Sequence, residues 1–176
     1  MHKNFPNKFY FINTFKKNHI DKLDLNTGVI FRNYKKKQSI YEIIKAKKYC
    51  KYKKLRFFIS NNFRLALKLD LDGCYIPAFN KSFKHLSYKT KSSFVIMGSA
   101  HNIKEIRHKE IQKVKIIFIS SIFKKNKNYL GLHRFNFLSG ITKKKVVALG
   151  GISKINIKKV NLLNCFGVSG ISYFEQ

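Results

Sequence analysis

The chain has 176 residues, 44% of them apolar, a globular composition long enough for a packed core. Lysine and arginine total 37 against 8 acids, a formal net charge of +29, and only 5 of those bases are arginine. Runs such as Lys35-Lys36-Lys37, Lys47-Lys48, Lys124-Lys125 and Lys143-Lys144-Lys145 spread that charge along the chain beside abundant Asn, Ile, Phe and Tyr, which fits an AT-rich coding bias and a solvated lysine surface rather than a specific nucleic-acid reader built on arginine forks.

Short apolar runs alternate with amphipathic ones. The runs predict strands over Lys8–Asn13, Gly28–Arg32, Leu55–Ser60, Gly73–Ile76, Ser93–Gly98, Lys115–Ser120, Val146–Gly150 and Phe166–Ile171. Helices are predicted over Ser39–Cys50, Asn62–Leu69, Lys81–Tyr88, Asn102–Lys109 and Ser153–Leu162. Ser39, Asn102 and Ser153 stand at N-cap positions, and Glu105 completes a capping box with Asn102. Eight strands with helical crossovers imply a parallel sheet, closed as a barrel or open and doubly wound; the strand number favours closure. The reading is a single domain over residues 1–176: an α/β fold, a compact (β/α)8 TIM barrel with trimmed helices and no last helix. The flank left uncovered after the eighth strand implies a homodimer contact.

Cys50, Cys74 and Cys165 are far apart, which argues against a disulfide framework or a zinc site. No apolar run approaches the roughly 18 residues a membrane span needs. The start Met1-His2-Lys3-Asn4-Phe5-Pro6 lacks the apolar segment of a signal peptide, so a cytoplasmic location is expected.

In such a barrel the C-terminal strand ends form the site. They gather Arg32, Ser60-Asn61-Asn62, Pro77 to Asn80, Ser99-Ala100-His101-Asn102, Ser120-Ser121, Gly150-Gly151 and Ser169 to Ser172. This mouth is polar, basic and nearly free of carboxylates, so it suits an anionic ligand, with His101 the one evident proton carrier. His101 could equally orient the helix that begins beside it, and Arg32 could be a surface residue. Glycines and small residues after two successive strands let backbone N–H groups approach a phosphate.

In order, these segments resemble the thiamine phosphate synthase/thiazole tautomerase (TenI) family. Gly28-Val29-Ile30-Phe31-Arg32-Asn33-Tyr34 is similar to its strand-two motif, and Asp72-Gly73-Cys74-Tyr75-Ile76-Pro77 to its "DGvHlp" stretch. Gly98-Ser99-Ala100-His101 resembles its "g-S-a-H" turn, Phe118-Ile119-Ser120-Ser121-Ile122-Phe123 its "lSPvF" strand, and Ala148-Leu149-Gly150-Gly151-Ile152 with Phe166-Gly167-Val168 its last two strand motifs.

The resemblance implies a transferase of thiamine biosynthesis that couples hydroxymethylpyrimidine pyrophosphate to a thiazole phosphate, two small phosphorylated partners, with no specific nucleic acid and no membrane. Carried over by position, Gly150, Gly151, Ile171 and Ser172 hold the thiazole phosphate, while Arg32 and Ser99 face the pyrimidine pyrophosphate. The family's two Mg2+-binding acids fall on Asn61 and Asn80, amides that bind a hard cation far more weakly, so neither Mg2+ nor another cofactor is expected here. Lys125 and Lys127 occupy the loop after strand six and offer point charges for a leaving pyrophosphate. Two other readings stay open: a thiazole tautomerase using His101, and a non-catalytic thiazole-phosphate binder.

Overall fold

Eight parallel strands close into one barrel in the computed structural model, which describes residues 5–34 and 39–175. The Lys35-Lys36-Lys37 run and residues Met1 to Asn4 lie outside the described residues. The strands are β1 (Lys8–Ile12), β2 (Thr27–Phe31), β3 (Arg56–Ser60), β4 (Gly73–Ile76), β5 (Val95–Ala100), β6 (Ile116–Ser120), β7 (Lys145–Leu149) and β8 (Gly167–Gly170). Each pairs with its sequence neighbours, and β8 closes on β1 with Lys8 opposite Val168 and Tyr10 opposite Gly170. The sequence places every strand within two residues of these bounds; β5 runs two residues further on, which brings Ser99 and Ala100 inside the strand.

The outer layer is thin. It holds α1 (Lys17–Asp21), α2 (Ile40–Tyr52), α3 (Phe63–Lys68), α4 (Ile103–Ile111), α5 (Gly131–Gly140) and the single turn α6 (Ser172–Glu175). Ser39 Oγ, Asn62 Oδ1 and Asn102 Oδ1 each accept the N–H three residues on, so these helices start where short polar side chains satisfy their free donors. Two expected α-helices are corrected. Residues Lys84–Ser87 and Ile157–Leu162 form 3-10 turns instead. Ser153 caps neither; its N–H donates to Asn156 Oδ1, and that residue's Nδ2 turns back to the Gly151 carbonyl. Helix α5 was not expected, because it begins on a glycine, ends on another and has no capping side chain.

The barrel interior is aromatic. Inward positions of β1, β3, β4 and β6 place Phe9, Phe11, Phe58, Tyr75 and Phe118 in one buried cluster. Phe118 lies 5.1 Å from Phe9 and 5.2 Å from Tyr75, both edge-on. Gly28 makes room for them, since a Cβ there would stand 3.0 Å from Phe58 and 3.1 Å from Phe9. Outward positions feed two further buried clusters, one under α2 and α3 and one under α4 and α5. The interior rings fill the barrel and form the floor of its mouth.

Candidate active site

Arg32 follows β2 and leans on that floor. Its N–H donates to the Ile12 carbonyl at 2.7 Å, and its guanidinium carbon sits 4.4 Å from the centre of the Phe11 ring. Stacking on a ring holds the planar cation without neutralising it. Beside it, the Tyr34 hydroxyl lies 2.6 Å from Ser60 Oγ and its ring packs edge-on against Phe79. Burial raises the Tyr34 hydroxyl above its ordinary range. Arg32, Tyr34 and Ile171 line one cavity of about 570 Å³. The structure therefore brings together one residue expected on the pyrimidine side and one expected on the thiazole side.

That cavity has a wall the sequence did not reveal. The Tyr10 hydroxyl donates to Glu175 Oε1 at 2.8 Å, so it accepts from His19 Nδ1, also at 2.8 Å. Burial first, and the Glu175 carboxylate second, raise the Tyr10 hydroxyl well above its usual range. No local pattern links residues 10, 19 and 175; only barrel closure of β8 on β1 does.

After β7, Gly150 and Gly151 adopt φ of +104° and +78°. A Cβ on Gly150 would stand 2.5 Å from Ser121 Oγ, and one on Gly151 would stand 2.5 Å from the Lys124 backbone nitrogen. The β6 loop thus lies directly on them, its Phe123 N–H donating to the Gly150 carbonyl at 2.9 Å. Glycine is required there by the protein's own backbone. Among the described residues no backbone carbonyl takes the N–H of Gly150, Gly151, Ile171 or Ser172, and a Cβ on Gly170 would meet nothing closer than 3.5 Å. Backbone donors left without a backbone acceptor after two adjacent strands are what a phosphate needs.

His101 Nδ1 lies 2.8 Å from the Ser120 carbonyl and 3.1 Å from Ser120 Oγ. A carbonyl can only accept, so Nδ1 carries a proton and donates to it. The ring lines a cavity of about 440 Å³ with His133 and Arg134, apart from the cavity that holds Arg32. Its backbone N–H, not its ring, serves the helix: it donates to Glu105 Oε2 at 2.7 Å. Ser99 is buried and its Oγ accepts the Ala78 N–H at 2.9 Å, which ties β5 to the β4 loop. Lys125 and Lys127 stand exposed on the β6 loop and line neither the Arg32 cavity nor the one beside Asn80.

Asn61 and Asn80 do meet. Asn80 Nδ2 donates to Asn61 Oδ1 at 2.6 Å, and Asn80 Oδ1 accepts the Ser82 N–H at 2.9 Å, which fixes the orientation of both amides. Asn61 is held in the left-handed region, φ +60°, with its N–H on the Tyr75 carbonyl. Beneath the loop lies Lys109, a fully buried lysine missed by the sequence reading. Its Nζ donates to the Pro77 carbonyl (2.9 Å), the Asn80 carbonyl (3.0 Å) and Gln112 Oε1 (2.7 Å). Burial lowers that ammonium to about 8, with the Glu105 charge opposing the shift. Position 109 falls three residues after buried Ile106 and three before buried Gln112, a stripe that marks a lysine facing inward.

The family's Mg2+ does not fit these residues. All 8 acids of the chain are engaged elsewhere. Asp21 binds Tyr49 and Lys53, Asp24 binds Lys8, Asp70 binds Lys91, and Glu110 binds Arg107 and Thr142. Glu42, Asp72 and Glu105 accept the backbone N–H groups of Phe15, Phe57 and His101, and Glu175 takes Tyr10. No group of three or more His, Cys, Asp or Glu able to hold a metal forms among the described residues. An amide whose nitrogen points at its partner's oxygen presents donors where a hard cation needs anionic oxygen.

A family model for thiamine monophosphate synthase matches residues 23–174. The chain belongs to that family. A thiamine-phosphate synthase of Methanococcus vannielii is 30% identical over 120 residues, 66% of this chain and 56% of that protein. One of Latilactobacillus sakei is 27% identical over 138 residues, 75% of this chain and 62% of that protein. The chain thus spans little more than half the length of the first and under two thirds of the second. In fold it is similar to the thiamine phosphate pyrophosphorylase from Pyrococcus furiosus, with a TM-score of 0.74 at 17% identity, over 96% of this chain and 91% of that one. No helix among the described residues is long and apolar enough to cross a membrane.

Proposed function

We propose that this family member acts as a thiamine phosphate synthase, a cytoplasmic transferase formed by one barrel domain. The observation that carries the reading is the pair of strand-end loops whose Gly150, Gly151, Ile171 and Ser172 N–H groups no backbone carbonyl takes among the described residues. In this reading those donors hold the thiazole phosphate. Arg32, stacked on Phe11 across the shared cavity, holds the pyrimidine pyrophosphate. The C–O bond of the pyrimidine ester breaks, its electron pair leaves with pyrophosphate, and the thiazole nitrogen attacks the pyrimidine carbocation. The aromatic floor keeps water from that cation. Incubation with both substrates, followed by mass spectrometry, should yield thiamine phosphate. Its absence with a folded protein defeats the reading.

One observation favours the isomerase alternative: the Ser120 carbonyl holds His101 through Nδ1, which leaves Nε2 as the ring nitrogen that would move a proton. Conversion of a thiazole tautomer that disappears in His101→Ala, together with no coupling product, would select it.

A further inference from the structure

We propose that the β3–β4 side of the mouth is a metal-independent polyphosphate site, in which the buried Lys109 ammonium supplies the positive charge behind the Asn61–Asn80 amide pair. The inference deepens the synthase reading and rests on it for the identity of the ligand, pyrophosphate, in a cavity separate from the one that Arg32 lines.

The charge follows from donor counting. Lys109 Nζ faces three oxygen acceptors, at 2.7, 2.9 and 3.0 Å. Only an ammonium has three hydrogens to give; a neutral amine has two. The cation reaches this place because β5 carries glycine: a Cβ on Gly98 would stand 2.8 Å from Lys109 Cδ. Gln112 completes the clamp, its Nε2 donating to the Asn80 and Ser82 carbonyls. Lys109 and Gln112 therefore grip the backbone of the segment whose side chain, Asn80, meets Asn61.

The direction of the pair decides what it binds. Asn61 Oδ1 and Asn80 Oδ1 already accept hydrogen bonds from protein donors. The Asn61 NH2 group and the second hydrogen of Asn80 Nδ2 remain to be given. Both residues line a cavity of about 440 Å³, whose walls include Arg64 and Lys84 and no carboxylate. A carboxylate pair in these positions would repel phosphate unless a cation lay between them. The amide pair donates to phosphate directly, and the fixed ammonium replaces the mobile cation's charge. Lys109 acts here as a positioning residue, through Asn80.

Inorganic pyrophosphate, titrated calorimetrically into the whole chain, tests this. In excess chelator the wild type should bind as tightly as in Mg2+, within about twofold. Loss of one charged donor is worth about tenfold in affinity. Lys109→Met should therefore bind about tenfold more weakly, and so should Asn80→Asp in chelator, but Mg2+ should restore Asn80→Asp alone. Adding Asn80→Asp to Lys109→Met should let Mg2+ restore binding to the double variant too, which loss of a merely structural prop would not permit. Should Lys109→Met not fold, Asn80→Asp and Arg64→Ala carry the test. Wild-type binding that appears only with Mg2+, or an Asn80→Asp affinity that ignores metal, overturns the inference. Coupling activity with Mg2+-dependent binding defeats this site but leaves the synthase reading standing; metal-free binding without product does the reverse.

Discussion

The two sides of the mouth offer hydrogen-bond donors by different means. On the β7–β8 side the donors are backbone N–H groups, and the side chains matter chiefly by being absent at Gly150 and Gly151. On the β3–β4 side everything rests on side-chain identity: two amides, a buried lysine and a glutamine. A backbone cradle tolerates drift in composition, because any residue supplies an N–H once the turn is fixed. A side-chain site changes its chemistry when one atom changes, as an oxygen replaced by NH2 at Asn61 and Asn80 turns acceptors into donors.

The sharpest way to break the contrast is Gly151→Ala. Its Cβ meets the Lys124 nitrogen at 2.5 Å on a left-handed backbone, and strain plus overpacking should cost roughly 3 kcal/mol. Urea unfolding would register this, and thiazole phosphate binding should weaken while pyrophosphate binding by the folded fraction persists. Equal loss of both ligands would merge the two sides into one unit. Arg32→Ala comes next, with kcat/KM for the pyrimidine ester down about a hundredfold from lost orientation. Arg32→Lys should recover little of it, since an ammonium neither stacks nor forks as guanidinium does. Lys109→Met strips one donor from three buried acceptors, a loss of about 2 kcal/mol readable in the same urea titration. A chain as stable as the wild type would make the clamp idle.

Thiol labelling gives the smallest and most local comparison. Burial holds Cys74, on β4, up at about 12, and raises the half-buried Cys165, just before β8, to a lesser degree. A raised thiol is the inert thiol below its folded pKa, so at pH 8 both should react slowly and faster as pH rises. Mass spectrometry of iodoacetamide adducts should show Cys165 modified before Cys74 and before Cys50, which burial also holds at about 12. Cys74 labelled first would make the amide side the looser one.

The strands were legible because each is a buried run bounded by polar turns, and their order carries the barrel. Four crossovers were not, the first because α1 buries only Ile20 of its five residues. Helix α5 lies between glycines with no cap, and Lys84–Ser87 and Ile157–Leu162 hold too few periodic apolar residues to separate an α turn from a tighter one. Among site residues, Arg32, Ile171 and the Asn61–Asn80 pair meet as their strand ends suggest. Lys109 was hidden by its company, one lysine in a chain of lysines. Tyr10, His19 and Glu175 were hidden by distance along the chain. Lys125 and Lys127 stand exposed outside both cavities; a loop charge has no address until the loop's path is known.

Every carboxylate here is tethered to a lysine or arginine, a backbone N–H or a hydroxyl, which leaves the mouth without a mobile counter-charge of its own. The counter-ions must come from the buffer. The protein's mouth then acts as an ionic funnel whose strength the solvent sets: anionic substrates should be captured quickly in dilute salt and more slowly as the screening length shrinks toward about 8 Å at physiological ionic strength. In the proposed reaction pyrophosphate would leave against the same field, so added salt should slow arrival and speed departure in one stroke.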